Sequence, residues 1–273
     1  MPTNRDPEGF TRDFSGREAP CIAPFGGEGT GKTRLCATAS QWAQEHGKTP
    51  AWLVFDRKTR RTVREVHAEL GLPLPYISTD FITVKEALDI SEMDREKDDE
   101  KIARIYTDVV SRIKQRIRSI ADEPKIEPVI VETGTQLWDY ISYSHFGRKQ
   151  GVGKSRVWGP PKQDWTDMFD AISHKATVIS FWERDAYVGD ERANYTKPDG
   201  PPHLGYIVTS QIRLRQDRKK KLDEDAGETY VDRFALDVYV SQDNVGLEGV
   251  SGVLTGADIN YTNLLRLLRP EGD

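Results

Sequence analysis

Cysteine is scarce: the chain has two in 273 residues, Cys21 and Cys36. Two thiols cannot build a disulfide scaffold, and so low a count fits a reducing cytosol. The five histidines are scattered without metal-ligand spacing, which argues against a structural zinc site. No apolar run approaches the roughly 18–20 residues of a membrane-spanning helix, so no membrane partner is expected. The first twenty residues have no apolar centre and do not read as a signal peptide. Positive charge is not in excess either. Lys and Arg number 39 against 44 Asp and Glu, a net charge of −5, so any nucleic-acid contact must come from a local patch. Hydrophobic residues make up 37% and charged residues 30%, enough for a core under a heavily charged surface. A chain of this length buries roughly 70–75% of the surface that its unfolded form exposes. The expected organisation is a polar arm over residues 1–19, mobile or docked on a neighbour, and one domain over residues 20–273.

Apolar runs at residues 21–25, 51–55, 128–132 and 176–182 read as buried strands. Helical periodicity marks residues 32–46, 59–70, 137–146 and 165–174, and a long charged helical stretch runs over residues 84–121. Residues 76–78 form a short strand candidate. Residues 206–215 and 229–240 alternate apolar and polar, which predicts antiparallel strands joined by the charged segment 217–228. A short apolar helix at residues 263–269 ends at Pro270. Strands alternating with helices over the first two thirds predict an α/β fold, with a mainly parallel central sheet flanked by helices. The C-terminal third turns antiparallel.

Gly26-Gly27-Glu28-Gly29-Thr30-Gly31-Lys32-Thr33 satisfies the phosphate-loop pattern G-x-x-x-x-G-K-[ST] and lies between a strand and a helix, the context that the pattern requires. Glycines let backbone N–H groups curl around a phosphate without Cβ clashes, and the helix N-terminus adds partial positive charge. Lys32 is placed to reach the β- and γ-phosphates, Thr33 offers its hydroxyl to Mg²⁺, and Arg34 opens the helix beside them. Lys32 reads as an exposed loop lysine, whose removal leaves the fold intact. Residues 151–155 also end in Gly-Lys-Ser. They lack both the first glycine, whose place Arg148 takes, and a preceding strand, so they do not form a second phosphate loop.

A phosphate loop of this kind needs an acid at the end of a neighbouring strand. Glu132 ends the strand 128–132, where Asp is more usual, and is a candidate for the metal shell and for orienting the attacking water. The alternative is a strand-end Glu that caps the next helix. Asp56 ends the strand 51–55 and is either a second catalytic acid or a plain helix N-cap. Ser180 and Glu183 close the fourth strand, as a polar sensor of the γ-phosphate or as an ordinary strand end.

These residues together resemble the RecA-like P-loop ATPases, and most closely phage-encoded RecA-core proteins, some of which act as single-strand annealing proteins. The resemblance covers roughly residues 20–240. It runs through FGGEGTGKTRL, WLVFD, PVIVETGTQLWDY, QDWTDMFDAI, TVISFWERD and HLGYIVTSQIRLR. It implies ATP and Mg²⁺ as cofactors, a homo-oligomeric ring or filament, single-stranded DNA as partner, and the cytoplasm of a phage-infected bacterial cell. In that family the water-activating carboxylate follows the phosphate-loop helix by one strand. Asp56 matches that place loosely, with Arg57 and Lys58 where an acid is more usual.

Residues 147–162 carry five basic residues and no acid, read as a glycine- and proline-rich loop, and are flanked by aromatics. Cations follow a phosphate backbone and aromatic faces stack bases, so Arg148, Lys149, Lys154, Arg156 and Trp158 are candidates for single-stranded DNA or RNA. A basic loop with no ligand is the alternative. A second cluster comprises Arg213, Arg215 and residues 218–221. It is a nucleic-acid contact, a cation donated to a neighbouring subunit's γ-phosphate (Arg213, Arg215), or a charged hairpin tip. The expected function is a Mg²⁺-dependent ATPase acting on single-stranded DNA in recombination, annealing or replication. The alternatives are an ATP-dependent assembly switch and, behind it, a small-molecule kinase.

Overall fold

The computed structural model describes residues 19–55, 57–79, 81–148, 158–188, 191–202, 204–223, 227–241 and 245–269. The arm over residues 1–18, Asp56, and Lys149, Lys154 and Arg156 of the basic segment lie outside the described residues.

The fold is α/β with a mixed sheet. Its strands are β1 (Cys21–Gly26), β2 (Thr49–Val54), β3 (Tyr76–Ser78), β4 (Ile126–Glu132), β5 (Thr177–Ile179), β8 (Ser210–Asp223), β9 (Gly227–Ser241) and β10 (Leu254–Thr255), in the order β10-β9-β8-β1-β5-β4-β2-β3. From β3 across to β8 neighbouring strands run parallel, whereas β8-β9 and β9-β10 are antiparallel. A hairpin of β6 (Phe181–Val188) and β7 (Glu191–Pro198) leaves the sheet beside β1.

The helices are α1 (Lys32–Glu45), α2 (Arg57–Glu69), α3 (Val84–Glu96), α4 (Asp99–Ala121), α5 (Gly134–Phe146), α6 (Gly159–Asp170) and α7 (Tyr261–Leu268). Successive strand residues point to opposite sheet faces, and here both faces are covered, so the central strands are mostly apolar. Cys21, Ala23, Phe25, Leu53, Val129 and Val131 pack with α4, α5 and α6 on one face. Ile22, Trp52, Val54, Ile130 and Val178 pack with α1 and α7 on the other.

Among the boundaries that differ from the sequence expectation, three bear on the architecture. The stretch 84–121 is two helices, because Lys97 adopts a left-handed conformation (φ 58°) and the Asp98 side chain accepts from Lys101 N to cap α4. The strand expected over 176–182 breaks at Ser180, after which the chain continues alongside β1 as β6. The described part of the segment 217–228 is strand rather than connector, since β8 continues to Asp223 and β9 begins at Gly227. Charge did not prevent strand formation there, because ladder hydrogen bonds are made by the backbone whatever the side chains.

Gly147 closes α5 with φ 67°, and a Cβ on it would fall 1.9 Å from the carbonyl oxygen of Asp99 at the start of α4. Gly147→Ala is therefore expected to lower stability by about 2 kcal/mol or more, roughly 4–8 °C in melting temperature. A thermal melt within a degree of wild type would show that α4 and α5 can part without loss.

Candidate functional site: the glycine-rich loop and its acids

The loop emerges from β1 into α1, with β6 on one side and β8 on the other. At Gly26 a Cβ would lie 2.3 Å from the carbonyl oxygen of Leu214 on β8, so the close approach of β8 requires glycine there. Lys32 is buried, and its ammonium donates to the carbonyls of Gly26 (2.7 Å) and Gly27 (2.6 Å). The expectation of an exposed loop lysine is thus corrected. The side chain folds back under the loop, because carbonyls there accept the donors that burial takes from water. Burial pushes the Lys32 ammonium below its usual pKa, and the nearby Glu132, Cys36, Glu183 and Glu28 draw it back up.

Glu132 ends β4, 99 residues after Thr33, and Thr33 Oγ1 donates to Glu132 Oε1 at 3.2 Å. The helix-cap alternative for Glu132 does not hold. Thr133 is the N-cap of α5, its hydroxyl accepting from Gln136 N at 3.2 Å, which leaves Glu132 facing α1. Burial pushes the Glu132 carboxyl above the usual carboxylate range, opposed by the Ser180 hydroxyl, Lys32 and Thr33. Glu132 Oε2 and Ser180 Oγ are both buried, and neither makes a hydrogen bond of good geometry among the described residues. The Ser180 hydroxyl still lies near enough to favour the carboxylate. Cys36, one turn along α1 from Lys32, is fully buried beside this carboxylate, and burial followed by Glu132 pushes its thiol well up.

A cavity of about 660 Å³ opens over these groups. Gly26, Gly27, Glu28, Lys32, Thr33 and Glu132 line it, with Thr59 and Thr62 of α2, Gln136 of α5, and Trp182 and Glu183 of β6. Gln136 and the α2 threonines were not foreseen, because nothing in their local pattern marks them apart from ordinary helix residues. Glu183 accepts from Thr196 Oγ1 (2.9 Å) and pairs with Arg213 (3.3 Å), both through Oε2. A second cavity, about 780 Å³, lies on the other side of the loop against Gly29, Thr30, Gly31 and Arg34. Arg34 itself pairs with Glu69 at 2.7 Å on the surface.

Among the described residues no group of three or more His, Cys, Asp or Glu side chains is placed to hold a metal alone. The oxygen pair of Thr33 and Glu132, with its unpartnered buried Oε2, fits a hard cation that keeps several waters and takes its remaining ligands from phosphate.

The other candidates are dispersed. Arg215 pairs with Asp237 at 2.9 Å, so both proposed trans-acting arginines are engaged by acids of their own chain. Arg148 is exposed and pairs with Asp99 at 3.3 Å. Trp158 is not in a loop. It precedes α6, whose first turn holds the prolines that helix starts favour, and it stacks on Trp138 (5.6 Å, 26°) with its edge near Phe146. Trp138, Trp158 and Tyr239, with Arg184 and Lys197, line a further cavity of about 350 Å³. No helix among the described residues is long and apolar enough to cross a membrane. No known family model matches the chain, and no curated protein is significantly similar to it.

Proposed function

We propose that this chain is a Mg²⁺-dependent ATPase of the RecA-like P-loop kind that acts on single-stranded DNA. The observation that carries the reading is the hydrogen bond between Thr33 and Glu132, made beside a lysine folded under the loop's first two carbonyls. A hydroxyl and a carboxylate drawn from distant parts of the chain meet where a triphosphate's metal would be held. The strand order supports it as well. β5 lies between β1 and β4, so the chain beyond Ile179 emerges between the loop and Glu132 and supplies Trp182 and Glu183 to the cavity.

The residues divide the chemistry as follows. Loop amides and Lys32 hold the β- and γ-phosphates and stabilise the charge that develops on them. Thr33 and Glu132 would hold Mg²⁺, which when bound would neutralise phosphate charge. Glu132, on the wall of the same cavity, would also orient the attacking water, a role that the resemblance shares with Asp56. The second cavity, with Thr38, Phe234 and Asn260 along its wall, has room for a nucleoside next to the loop. ATP, rather than another triphosphate, follows from the resemblance alone. The exposed Arg148 and the aromatic and cationic side chains around Trp158 supply the two elements of single-strand binding, charge and stacking surface.

Phosphate release measured with and without single-stranded DNA tests the whole. Stimulation by DNA is expected. Hydrolysis indifferent to DNA would favour an assembly switch, and transfer of phosphate to an added nucleoside would favour a kinase. The DNA surface has its own test. Replacing Arg148, Lys149, Lys154 and Arg156 together by Ala is expected to weaken binding and to flatten the slope of log K against log salt by up to about 3, at about 0.7 per single-strand phosphate contact. Basal hydrolysis should persist. An unchanged slope, with loss on neutralising residues 218–221 instead, would move the site to the β8–β9 hairpin.

A further inference from the structure

Glu183 places a carboxylate on the wall of the phosphate cavity, where the ligand itself is strongly anionic. A Cβ on Gly27 would lie 3.1 Å from Glu183 Oε1, so this acid sits directly against the loop. Its other oxygen carries the Arg213 guanidinium at 3.3 Å and the Thr196 hydroxyl at 2.9 Å. Arg213 lies on β8 opposite Phe25 of β1, one residue before the loop begins. Among the described residues its hold is thin: one long bond to the carboxylate, and a buried Nε that makes no hydrogen bond. A guanidinium has five donors and pairs best in bidentate fashion with carboxylate or phosphate. Among the described residues, donors are thus left over beside the cavity proposed to take phosphate.

We propose that Arg213 is a phosphate ligand acting in its own chain, held in reserve by Glu183 and transferred to the γ-phosphate when a nucleoside triphosphate binds. This rests on the phosphate-loop reading above and adds to it a discriminator between triphosphate and diphosphate. Without nucleotide, the pair keeps both charges satisfied. A triphosphate brings negative charge towards Glu183, repels its carboxylate, and offers Arg213 oxygens in the geometry that a guanidinium prefers. A diphosphate lacks the group that reaches so far, and the pair stays closed. The exchange moves no proton and breaks no covalent bond.

The test is equilibrium binding of ATP and ADP, each with Mg²⁺, to the full chain and its variants. Arg213→Ala is expected to weaken ATP by about tenfold or more and to leave ADP within about twofold. Glu183→Gln keeps the shape and the bond from Thr196 but removes the competing charge, and should tighten ATP by about threefold or more. If Arg213→Ala fails to fold, Arg213→Gln, which retains most of the stem, carries the same expectation. Complementation separates this role from one in a neighbouring subunit. Excess Lys32→Ala protein, which still carries Arg213, should not restore ATP binding to the Arg213→Ala chain. Restoration would overturn the proposal and make the arginine trans-acting. Equal weakening of ATP and ADP by Arg213→Ala, or weaker ATP binding in Glu183→Gln, would overturn it too. Wild-type protein that binds neither nucleotide would remove the phosphate-loop reading itself and this inference with it. Wild type that binds both, with Arg213→Ala unchanged, would remove this inference alone.

Discussion

Lys32→Ala should lower the affinity for ATP by roughly 10- to 150-fold, equivalent to the about 1.5–3 kcal/mol of a hydrogen bond to a charged partner. The ammonium that now bonds the carbonyls of Gly26 and Gly27 lies under the site where β- and γ-phosphate charge would collect. Binding transfers its donors from neutral carbonyls to anionic oxygens, and charge-assisted bonds are about twice as strong as neutral ones. The same variant should also lose stability, because Lys32 is buried and its removal strips a positive neighbour from Glu132. Titration with a fluorescent ATP analogue, alongside a thermal melt, separates the two effects. Affinity within twofold of wild type in a folded Lys32→Ala protein would refute the phosphate-loop assignment. Lys32→Arg offers a check on folding, since it keeps the charge but cannot place a compact ammonium under the loop.

Glu132→Gln has the second large effect expected. Turnover should fall by about 10²-fold or more while ATP stays bound, because the change removes charge at nearly constant shape from the group proposed to serve both metal and water. Single-turnover phosphate release with pre-bound nucleotide measures it directly. Normal hydrolysis in this variant, with loss in Asp56→Asn, would hand the water-orienting role to Asp56. The variant also has a signature without nucleotide. Burial raises the Glu132 pKa, so the folded state holds its proton more tightly than the unfolded chain does. Its stabilising contribution is therefore fully present below the unfolded carboxyl value and is lost as pH rises through the folded one. Glu132→Gln does not titrate. The difference in melting temperature, variant minus wild type, should grow more positive from pH 5 to pH 8. A difference that shrinks over that range would mean that Lys32 and the hydroxyls outweigh burial in setting the state of this carboxyl.

Much of the site was legible in the chain itself, because the features concerned are local. The loop proposed to take phosphate is eight consecutive residues, 26–33, whose glycines, lysine and threonine are neighbours in the chain. The β1, β2 and β4 strands were readable because both faces of a parallel sheet are covered, which forces continuous apolar runs such as those around Leu53 and Ile130. The apolar face of α4, from Ile102 through Val109 and Ile113 to Ile120, repeats at helical spacing because one side alone meets the core. The break at Lys97 was less legible, since lysine has no particular preference for the left-handed conformation that separates α3 from α4.

What only the tertiary structure decided concerns groups brought together across the sheet. The hairpin β6–β7 was missed because β7, Glu191–Pro198, is polar at most positions and lacks the alternation by which strands are recognised. Glu132 could have capped a helix or faced the loop. The choice fell to Thr133, which took the cap, and to the parallel register that sets β4 beside β5 and across from α1. Arg213 and Arg215, two residues apart on one strand, read as a single cluster of cations. The fold gives Arg213 the acid Glu183 from β6 and Arg215 the acid Asp237 from β9. The partner of a charged side chain is fixed by which strands lie alongside, and strand neighbours are selected by burial summed over the whole sheet, which no stretch of sequence records by itself.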